Sequence, residues 1–277
     1  MSEIKFGTDG WRGIIAEDYT FKNVAVVSQA IADYLGAGKK VAVGYDTRFM
    51  SGRFAETAAK VFRANKLKVI LSDRSIPTPA LSLAVRNRKL DLGIMITASH
   101  NPPEYNGYKI KLASGGAAGL EVTAKVEKLL GKSKVKEPEN YQDALKVEDL
   151  TRDYVSFISA YIDKEKLKRK KFKVLVDVMY GSGNGFIARV LKGTNIQLDF
   201  IRNGLNPSFG GSRPEPVEEN LEELKRMVRK GKYDLGIALD GDADRLAAVG
   251  EGGVFIHPQK IVGLLALHLN QDRGMSG

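Results

Sequence analysis

The sequence predicts an α/β protein made of two related three-layer α/β/α domains with mixed, mostly parallel sheets. Three observations predict it. Short apolar runs of β type alternate with helix-period segments along the whole chain, the pattern of βαβ units. Several of those runs are apolar at consecutive positions, so both their faces are buried under helices. One strand signal also recurs: Asp91-Leu92-Gly93-Ile94 and Asp234-Leu235-Gly236-Ile237 read almost alike, and each runs into a polar loop.

In chain order, a helix is expected over 21–35, a strand over 40–45 around Val41-Ala42-Val43, a helix over 52–65 and a strand over 68–71. A helix follows over 78–87, opening at Thr78-Pro79, then strands over 92–96 and 108–112 joined through the turn residues Asn106-Gly107. A helix is expected over 120–130 and a polar Lys/Pro/Glu-rich connection over 131–140. A helix over 147–162, a strand over 173–178, a helix over 186–191 and a strand over 196–200 come next. The last elements are a helix over 217–229, strands over 235–239 and 246–249, and a helix over 258–269. At 277 residues the chain is long for one core and comfortable for two. The division is expected near 147, giving domains 1–147 and 148–277.

Composition narrows the chemistry. Lys and Arg number 43 against 33 Asp and Glu, a formal net charge of +10, which suits an anionic partner. That partner is a phosphorylated small molecule or a nucleic acid. The basic run 164–173 is better explained as a solvated face, since it holds no aromatic beyond Phe172, so no nucleic acid is expected. There is no cysteine, which excludes disulfides, thiolate nucleophiles and zinc–thiolate sites. No apolar run has the length of a signal peptide or a membrane span, so a cytoplasmic protein without membrane contact is expected.

Two strand ends carry the chemistry, in keeping with ligands collecting at the carboxyl ends of parallel strands. The first is Thr97-Ala98-Ser99-His100-Asn101-Pro102. Ser99 offers a hydroxyl that needs a base or a charged environment to act as a nucleophile. No Gly-x-Ser-x-Gly elbow surrounds it, which argues against an esterase triad. On composition alone a serine capping a turn before two prolines is the plainer reading. Strand alternation places Lys109 and Lys111 together on the face opposite Tyr108 and Ile110, and spacing does not choose between them.

The second strand end is Asp240-Gly241-Asp242-Ala243-Asp244-Arg245. Aspartates at i, i+2 and i+4 of an extended or gently curved segment point the same way and repel one another unless a cation sits between them. Oxygen-only donors favour a hard ion, Mg2+ first. Arg245 adds a planar donor for phosphate. An EF-hand is set aside. Glu251 falls at loop position twelve, but position six is Arg245 where glycine is required, and a strand precedes the loop.

Near the N-terminus, Phe6-Gly7-Thr8-Asp9-Gly10-Trp11-Arg12-Gly13 sets glycines around Arg12, a weak anion-binding signal. Trp11 either packs at the domain edge or lines the site. His257 and His268 read as structural or surface residues near the two ends of the last helix.

Taken together, residues 6–13, 97–102 with Asn106-Gly107, 206–216 (NPSFGGSRPEP) and 240–245 resemble the α-D-phosphohexomutase family, the phosphoglucomutase/phosphomannomutase type. The resemblance covers essentially the whole chain. It implies that Ser99 carries a phosphoryl group and that His100 and Asn101 line the same loop. It implies that Asp240, Asp242 and Asp244 hold Mg2+ together with the serine phosphate, and that Arg245 contacts that phosphate. Arg12 and Lys109 would stand beside it, with Lys109 as general acid/base. A hexose phosphate would be the substrate, with an activator of the glucose 1,6-bisphosphate type. Ala243 in Asp-Gly-Asp-Ala-Asp-Arg leans away from the phosphoglucosamine branch. Family members have four domains, and the first two are present in this sequence. Domains III and IV, which hold the residues that read the sugar, are expected to be absent. A fragment of that kind is expected to be weak or inactive and prone to self-association. The alternatives are a non-enzymatic phosphate- and magnesium-binding module and, with less weight, a nucleic-acid binder.

Overall fold

The computed structural model describes residues 4–136 and 145–276, and shows two α/β units, each around its own sheet. The first sheet contains β1 (Trp11–Ile14), β2 (Lys40–Tyr45), β3 (Lys68–Ser72), β4 (Leu92–Ile96), β5 (Tyr105–Leu112) and β6 (Lys146–Glu148), in the order β1-β5-β4-β2-β3-β6. Strands β4, β2, β3 and β6 run parallel, while β5 and β1 are antiparallel additions at one side. The second sheet contains β7 (Phe172–Asp177), β8 (Ile196–Ile201), β9 (Leu235–Leu239), β10 (Leu246–Gly250) and β11 (Val254–Ile256), ordered β11-β10-β9-β7-β8. Its β9, β7 and β8 are parallel and its β10 and β11 antiparallel. Both sheets are therefore mixed, and only the first has a majority of parallel pairings.

Helices cover the sheets. α1 (Phe21–Leu35) starts where the Thr20 hydroxyl accepts the Asn23 N–H at 3.1 Å, and stops at Gly36, whose φ of 80° is left-handed. α1, α2 (Ser51–Ala64) and α4 (Leu120–Leu129) accompany one core, built on Val24, Ile31, Phe54, Phe62, Ile94 and Tyr108. α3 (Thr78–Asn87) closes the other side through Leu81 and Val85. In the second unit, α8 (Glu222–Gly231) places Leu224 and Val228 on Leu175, Ala238 and Val249. The shorter α5 (Arg152–Tyr161), α6 (Lys164–Lys168) and α7 (Phe186–Leu191) and the terminal α9 (Pro258–Leu267) complete the set, with a π-type turn over His268–Asp272. α9 carries no buried residue, and Val262, Leu264, Leu265 and Leu267 are exposed.

The repeated Asp-Leu-Gly-Ile segment is structural. Asp91 donates its N–H to Lys40 O at 2.9 Å and accepts the Lys40 N–H on Oδ2 at 2.8 Å. Asp234 does the same with Lys173, at 2.9 and 2.7 Å. Each aspartate thus fixes the start of its strand, β4 or β9, against a parallel neighbour, β2 or β7. The glycine two residues on admits the covering helix. A Cβ on Gly93 would lie 2.6 Å from Val85 Cγ2, and one on Gly236 would lie 2.8 Å from Val228 Cγ2. Gly93→Val is accordingly expected to destabilise the protein by roughly 1–3 kcal/mol through overpacking, despite the strand preference of valine. Urea unfolding monitors this, and an unchanged midpoint and slope would contradict it.

Several sequence expectations are corrected. The helix expected over 147–162 is instead β6 followed by α5, because 146–148 pairs in parallel with β3. The expected division at 147 falls within β6, and Leu150 lies in the core against α3. The helix expected over 217–229 begins as a 3-10 turn over Glu218–Leu221. β1 and β11 are short antiparallel edge strands, and neither they nor β6 show the long apolar run that marks the other strands. Of the connection expected over 131–140, residues 137–140 lie outside the described residues. Trp11 is buried and stacks on Tyr19 with ring centroids 4.7 Å apart, so it belongs to the packing. His257 caps α9 by accepting the Gln259 N–H at 3.4 Å, and His268 pairs with Asp272 at 2.6 Å. Among the described residues no helix is long and apolar enough to cross a membrane.

Candidate active site

The serine loop leaves β4 at its carboxyl end. The Thr97 N–H donates to Gly107 O at 2.9 Å, and the chain then turns away. Ser99 is buried and adopts a φ of 53°, a left-handed conformation that strains a non-glycine residue. Two contacts hold it there. Thr97 Oγ1 accepts the Ser99 N–H at 2.9 Å and donates to Asp46 Oδ2 at 2.6 Å. Arg48 donates to Ser99 O at 2.7 Å.

The second unit meets this loop directly. The Ser99 hydroxyl donates to Asp240 Oδ2 at 3.0 Å. Gly241 lies flat against Ser99, since a Cβ there would come within 2.6 Å of Ser99 O. Thr78 donates its N–H to Asp242 O at 2.9 Å and its hydroxyl to Asp242 Oδ2 at 2.5 Å. The two strand ends, one from each sheet, therefore share a single cleft.

The three aspartates converge, though not by strand alternation as expected. Residues 240–245 form a turn, with the Ala243 N–H donating to Asp240 O at 3.1 Å and Ala243 at a φ of 54°. Asp240 Oδ1 accepts the N–H groups of Asp244 and Arg245, at 2.9 and 3.1 Å. One carboxylate oxygen from each of Asp240, Asp242 and Asp244 lies within 4.8 Å of the others. Burial, then the charges of Asp242 and Asp244, push Asp240 up to about 8. Burial also acts to raise Asp242, but the Lys109 ammonium and the hydrogen bonds from Thr78 and Lys109 together hold Asp242 below the usual carboxylate range.

A divalent cation fits this turn. Asp242 Oδ1 is buried without a hydrogen-bond partner, which is costly unless something binds it. The donors are all carboxylate oxygens, the set that a hard cation such as Mg2+ takes.

Lys109 is buried, with Nζ 2.8 Å from Asp9 Oδ2, 2.9 Å from Asp242 Oδ2 and 3.2 Å from Asp244 Oδ2. Burial acts to lower its pKa, yet these carboxylates together raise it, so the side chain is an ammonium. Lys111 shares the strand face, as alternation predicts, but its closest carboxylate oxygen is Asp9 Oδ1 at 3.9 Å. Burial lowers Lys111. Geometry thus separates the two lysines, which spacing left equivalent.

The remaining candidates ring the serine. Arg12, on β1, donates to Asn101 Oδ1. His100 places Nδ1 3.4 Å from Ser99 Oγ and Nε2 3.9 Å from Glu215 Oε1. Burial, with Arg245 nearby, lowers the His100 pKa, which favours the neutral ring. Arg245 is half-exposed and lies 3.8 Å from the same Glu215 oxygen. Asp9, Asp46, Arg48, Thr78 and Glu215 also belong to the site but were not singled out from sequence. Asp46 and Arg48 carried a usable signal, an acid and a base just past the carboxyl end of a buried strand.

These features define a two-domain α/β protein with a serine hydroxyl and a carboxylate trio at the junction of its units. Comparison with known proteins makes this specific. Residues 3–137 match phosphoglucomutase/phosphomannomutase α/β/α domain I, and residues 152–253 match domain II of the same family. The chain belongs to the phosphoglucomutase/phosphomannomutase family. It is 34% identical over 254 residues to a phosphoglucosamine/phosphogalactosamine mutase of Sulfurisphaera tokodaii, covering 90% of this chain and 55% of that protein. It is 32% identical over 274 residues to a phosphoglucomutase/phosphomannomutase of Thermococcus kodakarensis, covering 97% and 60%. A solved structure from Thermus thermophilus, provisionally assigned as a phosphomannomutase, superposes with a TM-score of 0.91 at 35% identity, covering 98% of this chain and 62% of that one. The chain thus spans a little over half the length of these relatives.

Proposed function

We propose that this chain is the phosphoryl-carrying half of a hexose-phosphate mutase. The first α/β unit supplies the phosphoserine and the second the metal site, and further domains reading the sugar belong to the whole protein. The observation that supports this most directly is the Ser99 hydroxyl 3.0 Å from Asp240, beside two more carboxylates. In the reaction, a sugar hydroxyl oxygen forms a bond to the phosphorus on Ser99. The phosphorus–Oγ bond breaks, the hydroxyl proton passes to a base, and Ser99 Oγ takes up a proton. The resulting sugar bisphosphate turns around and returns its other phosphoryl group to Ser99 by the reverse step.

Lys109 enters this scheme as the proton donor, since its surroundings keep it charged. Arg12, His100, Asn101 and Arg245 bind the phosphoryl oxygens. Asp240, Asp242 and Asp244, with phosphorylated Ser99, would hold Mg2+, which supplies positive charge against the transferring group. The names of the relatives span phosphoglucosamine, phosphogalactosamine, glucose and mannose phosphates. Ala243 therefore carries no weight against the phosphoglucosamine branch, and the substrate is proposed as a hexose phosphate. The protein is proposed to act in the cytoplasm, where such substrates are made.

The test is intact-mass measurement after incubation with glucose 1,6-bisphosphate and Mg2+. Addition of one phosphoryl group is expected. Its absence, with a longer family member labelling under the same conditions, would overturn the enzymatic reading in favour of a binding module. Because remote binding contacts normally support the chemical step, turnover by these residues alone is expected to be low.

A further inference from the structure

We propose that the buried pair Asp46–Arg48 is a positioning device that sets the reactive conformation of the serine loop. This rests on the role proposed for Ser99. Arg48 donates from Nη1 to Pro102 O and Tyr105 O, at 2.7 and 3.0 Å, and from Nη2 to Ser99 O and Asn101 O, at 2.7 and 2.6 Å. One guanidinium thus gathers four backbone carbonyls from both limbs of the loop. Pro102 O also accepts the Tyr105 N–H at 3.1 Å, but the guanidinium is what draws the four carbonyls to one point.

The guanidinium is itself fixed. Its side chain and that of Asp46 are both 0% exposed, with Arg48 Nε 3.2 Å from Asp46 Oδ2. That contact is not aligned as a hydrogen bond, which leaves Arg48 Nε to pure charge attraction. Asp46 is in turn held by the Arg48 N–H at 3.0 Å and by the hydroxyls of Ser51 and Thr97, at 2.7 and 2.6 Å. Thr97 passes the restraint to the Ser99 N–H. The pair therefore grips Ser99 from both its N–H and its carbonyl, which is what a left-handed serine requires.

The second unit covers this pair. Phe209 is buried, has the rare φ of 49° for a bulky residue, and its ring centroid lies 5.0 Å from Arg48 Cζ. Asp46, Arg48 and Phe209 make no hydrogen bond to the carboxylate trio, so among the described contacts the pair reaches the trio only through Ser99 and through charge.

Arg48→Ala and Arg48→Lys test the proposal. Each is compared with wild type for the rate of Ser99 phosphorylation by glucose 1,6-bisphosphate, for Mg2+ affinity, and for hydrogen exchange of 97–107 against 240–246. Arg48→Ala is expected to label about 100-fold more slowly, since small displacements of a reacting group cost about that much. Exchange should quicken at 97–107, with the Mg2+ affinity of the unphosphorylated protein not reduced, since removing a nearby positive charge does not weaken the hold on a cation. Free guanidinium, well below denaturing concentration, should restore part of the rate. Lysine, which has no planar fork, should restore little. Labelling within about threefold of wild type would overturn the proposal. So would a loss of rate that tracks loss of Mg2+ binding and is not rescued by guanidinium, which would mark a general packing role. If wild type itself fails to label, the functional reading falls, and hydrogen exchange alone then decides whether Arg48 orders the loop.

Discussion

Ser99→Ala is expected to abolish phosphoryl uptake from glucose 1,6-bisphosphate while leaving the fold in place. Alanine removes one oxygen from a buried position and leaves the Ser99 backbone contacts to Thr97 and Arg48 unaltered. Among the described residues the side-chain partners lost are Asp240, at 3.0 Å, and His100, at 3.4 Å. Asp240 keeps the N–H groups of Asp244 and Arg245 on its other oxygen. The thermal midpoint should therefore shift little, within the loss of one hydrogen bond, about 1 kcal/mol. Activity has no such fallback. Among the described hydroxyls, the side chain of Thr78 also reaches the trio, and it is committed as a donor to Asp242 Oδ2 at 2.5 Å. Intact mass with site mapping measures the outcome. Equal labelling of variant and wild type would remove Ser99 from the role proposed for it.

The architecture was legible where burial leaves a mark on the chain. β2 and β4 are apolar over consecutive positions because helices cover both faces, β9 is apolar with one face buried under α8 and the other half-buried, and the edges of all three were readable to within a residue. β6 was not, because it is three residues long, mostly exposed and paired with one strand, β3. Its register is imposed by the neighbouring strand, which local periodicity cannot report. Tertiary pairing also reversed the reading of 147–150 from helix to strand and core. The same division runs through the site. Ser99 and the aspartates stand in contiguous loops with distinctive composition. Asp9 and Glu215 become site residues only because the chain folds back, Asp9 onto Lys109 and Glu215 between His100 and Arg245. The convergence of the three aspartates was anticipated from their spacing, but the left-handed turn at Ala243 produces it.

Asp242→Asn carries the second large effect, on the cation. Asp242 is fully buried and contributes a partnerless Oδ1 to the trio, while Oδ2 accepts from Thr78 and Lys109. The amide satisfies those donors with its one oxygen and turns its NH2 toward the position a cation would take. A ligand oxygen is lost and a donor faces the ion, so Mg2+ affinity should fall by at least the 10–100-fold seen for changes to supporting groups around metals. The rise in thermal midpoint on adding Mg2+ reads this directly, since a ligand at free concentration L bound only by the folded state stabilises it by RT ln(1 + L/Kd). The pH dependence gives a second handle. Asp240 is raised from the ordinary 3.8 to about 8, so ionising it in the cation-free protein opposes folding, and stability is lost as pH rises through that interval. Asp242 shifts the other way, and its favourable contribution is lost only as pH falls below 3.8 toward about 2. Between neutral and mildly alkaline pH the Asp240 effect therefore dominates. A cation relieves that repulsion but must displace the Asp240 proton, so the Mg2+-induced gain for wild type should grow as pH rises toward 8. In Asp242→Asn the gain should be small at every pH, and Asp240 should ionise more easily with one charge fewer beside it. A variant that keeps the full, pH-rising Mg2+ stabilisation would show that the cation sits elsewhere.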